Sequence, residues 1–220
     1  MRLAVLVSGR GSNLEAVLAA VTSGRLPRIH PVLVVSNRHD VRALDVAADH
    51  GVPALVLSGR AYASLAERDA AIGSALADSG ADLALLAGYD QLLRPEYFAT
   101  FGGRTINIHP SLLPRHGGRG MIGLAVHRSV LAAGDAETGV TVHEVASDLD
   151  AGAPLAQVRV PVTPGETAEE LADRVLEVEH RVLVDVLARL SAEPEGPASS
   201  VSMAAAPASE TGARTTHERR

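Results

Sequence analysis

The chain has 220 residues with 20 basic and 26 acidic side chains, a net charge of −6 and no basic block, which excludes the electrostatic footprint of a nucleic-acid binder. All 20 basic residues are Arg and Cys is absent, so Schiff-base and phosphate-loop lysines, disulfides, thiol nucleophiles and thiolate metal sites are excluded. Hydrophobic residues make up 46% but aromatics only 2%, so the core is built from Val, Leu, Ile and Ala, a mixture suited to helices packed on a buried parallel sheet.

Strand-like and helix-like segments alternate from the start. Residues 3–7 read as a short aliphatic strand, 13–21 as a helix, 31–35 as a second strand and 41–50 as a second helix. A strand at 54–57, a longer helix at 63–79, a strand at 83–87, a short helix at 95–101 and a strand at 105–109 continue the pattern. Strands spaced by helices predict parallel βαβ units, and so an α/β fold with an open, doubly wound, mainly parallel, Rossmann-like sheet. The pattern then changes. Residues 124–133 are helical, but 139–145 and 155–162 are strands with little between them, able to extend the sheet as a late antiparallel pair. A closing helix is expected over 167–191, and its opening Thr167-Ala168-Glu169-Glu170 is a capping-box sequence. From residue 192 onward Pro194, Pro197 and Pro207 are interleaved with Ser, Ala, Thr and Glu without an apolar period. That predicts one domain over 1–191 and a disordered tail over 192–220. The first apolar run is too short for a signal peptide and no stretch approaches membrane-span length, so a cytoplasmic protein without a membrane partner is expected.

The first loop, Ser8-Gly9-Arg10-Gly11-Ser12-Asn13, joins strand to helix. Glycines let backbone approach an anion, and a helix N-terminus offers N–H groups and a positive dipole end. Ser12 or Asn13 can equally cap the helix in an ordinary tight turn. The loop is neither the three-glycine dinucleotide pattern nor the nucleotide P-loop, so a phosphorylated small molecule suits it better than a dinucleotide.

The central segment, Asn107-Ile108-His109-Pro110-Ser111-Leu112-Leu113-Pro114, is the more informative. Asn107 and His109 lie two apart at a strand end, so their side chains share a face. The C-terminal ends of parallel strands are where open α/β sheets build sites. An amide and an imidazole there can both donate to one developing oxyanion, and the imidazole can also move a proton. Alone, His109 reads as a satisfied strand-end histidine; with Asn107 beside it and prolines after it, the functional reading is the better one.

Residues 107–114, together with Ser8–Leu14, resemble the folate-dependent formyltransferase family over residues 1 to about 190. The resemblance implies a Rossmann-like formyltransferase fold and transfer of a formyl group from 10-formyltetrahydrofolate to an amine through a tetrahedral intermediate. The phosphate loop points to the branch whose amine is 5-phosphoribosylglycinamide, in purine biosynthesis. The family's trio of Asn, His and Asp maps to Asn107, His109 and, in Ser147-Asp148-Leu149-Asp150-Ala151-Gly152, to Asp150, with Asp148 as the alternative. Gly11, Ser12 and Asn13 match contacts to the phosphorylated substrate, and Glu179 matches a ribose-hydroxyl ligand. Asp90, Gln91, Leu92 and Leu93 match the folate-binding turn after strand four, with Asn107 also facing the folate. Relatives often have Met-Arg where Asp90-Gln91 stand, and can carry a folate-contacting Arg where Leu65 stands; either Arg60 or Arg68 takes its place here or the contact is missing. His143 matches a recurrent family histidine with a structural or supporting place. The glycine-rich 115–123 segment reads either as a lid or as a surface excursion. The other histidines show no ligand spacing, so no metal is expected. Small-molecule substrates, no nucleic acid, and a monomer or homodimer complete the expectation.

Rival readings are a sibling folate formyltransferase, a formyl-folate hydrolase, or a non-catalytic phosphate-ligand or folate-binding module. The polar residues 192–220 are too short for a tRNA-binding domain. Mere binding has no need of a proton-transfer trio.

Overall fold

The computed structural model describes residues 1–145 and 154–193. In chain order it contains β1 (Arg2–Val7), α1 (Ser12–Thr22), β2 (His30–Ser36), α2 (Arg42–Asp49), β3 (Ala54–Val56), a single 3-10 turn at Gly59–Ala61, α3 (Leu65–Asp78), β4 (Leu83–Leu86), α4 (Pro95–Thr100), β5 (Arg104–His109), α5 (Leu124–Ala133), β6 (Glu137–Glu144), β7 (Pro154–Pro161) and α6 (Ala168–Ala192). The strands form one seven-stranded sheet in the order β3-β2-β1-β4-β5-β6-β7. Neighbours from β3 to β5 run parallel, whereas β6 and β7 are antiparallel additions beyond β5. The fold is the expected one: a doubly wound α/β sheet with a late antiparallel pair.

Strand alternation sorts the core into two layers. Leu3, Val5 and Val7 of β1 join Leu83 and Leu85 of β4 and Ile106 and Ile108 of β5 under α1, α2 and α6. Ala4 and Leu6, with Ala84 and Leu86, face the other way onto Ile72 and Leu76 of α3 and Tyr97 and Phe101 of the α4 region. Each fully buried aliphatic side chain contributes about 1.5–3 kcal/mol to this packing. Because Ile106 and Ile108 belong to the first layer, Thr105, Asn107 and His109 project toward the second. Thr105 is anchored there by a 2.9 Å hydrogen bond to the Tyr97 hydroxyl.

The closing helix α6 starts as its sequence predicts. The Glu170 N–H donates to Thr167 Oγ1 at 3.2 Å and the Thr167 N–H donates to Glu170 Oε2 at 2.8 Å. It runs to Ala192, one residue beyond the expected domain end, and its C-cap residue Glu193 pairs with Arg104 at 3.3 Å. The expected tail from residue 194 onward, and both Asp148 and Asp150, lie outside the described residues.

Candidate active site

The strand order reverses between β1 and β4, so the loops leaving these two strands diverge and open a crevice at the C-terminal edge of the sheet. Asp90 locks the crevice floor. The Ser8 hydroxyl donates to Asp90 Oδ1 at 3.0 Å and accepts from the Asp90 N–H at 2.9 Å. The Asn37 amide donates to the same carboxylate at 2.7 Å and Arg38 forms an ion pair with it. Burial opposes ionisation of Asp90, but hydrogen bonds from Asn37, Gln91 and Ser8 and the charge of Arg38 hold its pKa below the ordinary carboxylate value. One carboxylate therefore joins the loops that follow β1, β2 and β4. The sequence reading assigned Asp90 to a folate turn; its side chain is engaged in this joint.

Gly11 is the N-cap of α1 and adopts φ 75, a left-handed conformation. Neither Ser12 nor Asn13 caps the helix through its side chain, contrary to the capping alternative. Gly11 itself has no side chain with which to accept from the first-turn N–H groups of α1. Asn13 is buried and its Oδ1 has no partner within the described protein. Glu179 of α6 is only 8% exposed. Its burial pushes its pKa up to about 7, against the lowering effect of the Asn13 amide and the Arg10 charge.

Asn107 and His109 end β5 side by side on one face, as their spacing predicts. Asn107 pairs with His143 in the antiparallel β5–β6 register, and its Nδ2 lies 3.1 Å from His143 Nε2. His109 is 8% exposed, and its Nε2 lies 2.9 Å from the His116 carbonyl oxygen.

Two cavities of about 400 Å³ each flank this pair. One is walled by Leu86, residues 89–95, Val145 and the 118–122 segment. The other is walled by residues 8–13, by Ala172, Leu176 and Glu179 of α6, and by His127. Asn107 and His109 line both cavities, as do Tyr89, Asp90, Met121 and Ile122. The sequence-predicted residues thus fall into groups that the fold brings together: Gly11, Ser12, Asn13 and Glu179 in one cavity, Gln91, Leu92 and Leu93 in the other, Asn107 and His109 at the junction.

Arg68, one of the two arginines offered in place of the folate-contacting Arg of relatives, is held inside the fold. It is 1% exposed, bonded to Asp69 at 2.5 Å and to Gln91 at 3.4 Å, beneath the 90–93 turn. Two residues escaped the sequence reading. His127 is buried in the second cavity with its Nδ1 unpartnered within the described protein, and burial followed by the nearby His109 lowers its pKa. Its signal was its spacing: it precedes Val130 and Leu131 by one helical turn, so it occupies a core position. His116 is the second, and its role rests on side chains far away in sequence.

Among the described residues, no group of three or more His, Asp or Glu side chains is placed to hold a metal, and no helix is long and apolar enough to cross a membrane. The fold and site define an α/β protein with two adjoining cavities that share an amide and an imidazole, groups able to donate hydrogen bonds to one oxygen.

Comparison with known proteins specifies the class. Residues 1–187 match the model of the formyl transferase family. The chain is 37% identical over 181 residues to phosphoribosylglycinamide formyltransferase of Haemophilus influenzae, covering 82% of each chain. It is 40% identical over 188 residues to the trifunctional purine biosynthetic protein adenosine-3 of Bos taurus, but spans only 18% of that longer protein. Among solved structures it resembles glycinamide ribonucleotide transformylase 1 of Symbiobacterium toebii, with 39% identity, a TM-score of 0.81 and 87% of each chain covered. The phosphoribosylglycinamide formyltransferase of Bacillus halodurans superposes with a TM-score of 0.82 at 30% identity, over 90% of this chain and 99% of that one. The chain belongs to the formyl transferase family and is a one-carbon transferase.

Proposed function

We propose that this chain transfers the formyl group of 10-formyltetrahydrofolate to the amine of 5-phosphoribosylglycinamide, a step of purine biosynthesis. The observation that carries the reading is the junction: Asn107 and His109 line two cavities of different chemistry at once. The cavity walled by Leu86, Leu92, Leu93 and Val145 offers apolar faces and the backbone edge of the 90–93 turn, which suits a flat heterocycle such as the folate ring. The other offers the N-terminus of α1 for a phosphate, with Gly11, Ser12 and Asn13, and the Glu179 carboxyl for ribose hydroxyls. Dispensing with lysine is no obstacle, since the helix supplies N–H donors and a dipole.

In this reading the substrate amine attacks the formyl carbon at the junction. A C–N bond forms and the carbonyl electron pair moves to oxygen. The Asn107 amide and the His109 imidazole donate to that oxygen. Collapse breaks the bond to the folate nitrogen, to which His109 supplies a proton. Asp150 takes up the proton of the attacking amine through water and favours the charged imidazole. Both substrates are small molecules, with no metal, nucleic acid or membrane required, and the protein acts in the cytoplasm as a monomer or homodimer.

The test is to incubate the protein with phosphoribosylglycinamide and 10-formyltetrahydrofolate and follow donor loss and amine formylation together. Equal amounts of each are expected. Donor loss without the amine makes the protein a formyl-folate hydrolase; transfer to a different amine alone makes it a sibling transferase.

A further inference from the structure

We propose that His116, clamped by Ser129 and Asp135, is a positioning residue that sets the tautomer of His109, so that Nδ1 is the ring nitrogen that gains and loses the catalytic proton. The contact that carries this is the 2.9 Å bond between His109 Nε2 and the His116 carbonyl oxygen. A carbonyl only accepts, so Nε2 must donate. It therefore keeps its hydrogen whether the ring is neutral or charged, and the titrating position is Nδ1.

The carbonyl is aimed by an unusual backbone. His116 has φ 53, in the left-handed region that residues with a Cβ rarely adopt. Its side chain holds that conformation from both ring nitrogens. His116 Nε2 donates to Asp135 Oδ2 at 2.8 Å, and Nδ1 lies 2.8 Å from Ser129 Oγ. Ser129 sits on α5, and Asp135 follows the turn at Gly134 that ends it. Asp135 also pairs with Arg115, whose carbonyl accepts from Ser111 Oγ at 2.6 Å. A regular helix thus fixes the turn that in turn orients the imidazole. The Asp135 carboxyl is held below its ordinary pKa by the His116 hydrogen bond first, and it therefore stays an acceptor.

The kinetic arm of this proposal rests on the formyl-transfer reading; the spectroscopic arm does not. Three variants serve: His116→Gly, which keeps the left-handed backbone and removes the clamp, Asp135→Ala, and the conservative Asp135→Asn, which retains an acceptor for His116. The first two are expected to lower kcat by about 10- to 100-fold, as loss of an orienting partner of a functional histidine does, with KM for both substrates little changed. Asp135→Asn should recover most of the turnover. Imidazole nitrogen NMR should show His109 of the unaltered protein protonated at Nε2 and titrating at Nδ1, and a tautomer mixture in His116→Gly. A neutral His109 carrying its hydrogen on Nδ1 in the unaltered protein overturns the proposal, whatever the variants do. So does full turnover in the clamp variants, or lost turnover with the tautomer unchanged. If the unaltered protein transfers no formyl group, the functional reading fails while the tautomer measurement still decides this one.

Discussion

Asn107 and His143 face each other directly across the β5–β6 ladder, and the Asn107 amide donates to His143 Nε2 at 3.1 Å. Acceptance requires that this nitrogen be bare, and His143 Nδ1 is accordingly placed 2.9 Å from the Glu144 carbonyl, to which it donates. The Asn107 NH2 group has two hydrogens, so one can be held by His143 while the other is offered to an oxyanion. Replacing Asn107 by Ala is expected to lower kcat by about 10²–10³-fold, the usual cost of one oxyanion donor. His143→Ala should cost about tenfold, because it frees the amide to rotate. The double variant should be no worse than Asn107→Ala alone, since both act through one amide; additive losses in a steady-state comparison would refute this.

His109→Asn keeps a polar side chain of smaller size at the cavity junction but removes the imidazole to which the proposed mechanism assigns proton transfer. Turnover should fall by about 10²–10⁴-fold, with the phosphorylated amine still bound. An unchanged rate in a folded variant would remove His109 from the chemistry.

Glu179 makes stability depend on pH. Its folded pKa is raised to about 7 from 4.5, chiefly by burial, so the folded state binds a proton that the unfolded state has lost between these values. Stability associated with the group is complete below pH 4.5 and is lost as pH rises through about 7. Glu179→Gln stays neutral throughout. The variant should therefore gain stability over the native protein between pH 5 and pH 8, by at most about 3 kcal/mol. Thermal melts at the two pH values measure the gap; a gap that is the same at both contradicts the assignment. The KM for the phosphorylated amine should rise in the same variant.

Gly11 is needed for both shape and space. At φ 75 an Ala costs about 1–2 kcal/mol in backbone strain. Its Cβ would also lie 2.8 Å from the Cα and Cβ of Ala43 in α2. Gly24→Ala is the control, with the same φ of 75 and no atom within 4 Å of the added carbon. Gly11→Ala should therefore melt lower than Gly24→Ala and raise KM for the phosphorylated amine, whereas the control leaves KM alone. Equal melting temperatures would show that the Ala43 contact relaxes at little cost.

Much of this was readable from the chain. Helices and strands announced themselves by aliphatic period, and Thr167 with Glu170 announced the start of α6, because these signals lie within one or two turns of sequence. Asn107 and His109 were legible for the same reason: strand geometry alone puts residues two apart on one face. Where the expectation and the structure differ, the deciding contacts span long separations. Asp90 lines the cavity beside the 90–93 turn, but nothing local showed that Ser8, Asn37 and Arg38 would close on its carboxylate. Arg68, offered as a stand-in for the folate-contacting Arg of relatives, is instead turned inward from α3 onto Asp69 and Gln91.

By itself, then, the sequence determined the class of fold, the glycine-rich first loop and the Asn-His motif and their family, since each rests on local geometry and residue chemistry. Only the tertiary structure decided that Glu179 stands beside Asn13, that His143 orients the Asn107 amide, and that His116 turns its carbonyl to His109. Those relationships arise where the strand order reverses and where β6 folds back on β5, and no local pattern encodes which distant side chains such a crossing will bring within hydrogen-bonding reach.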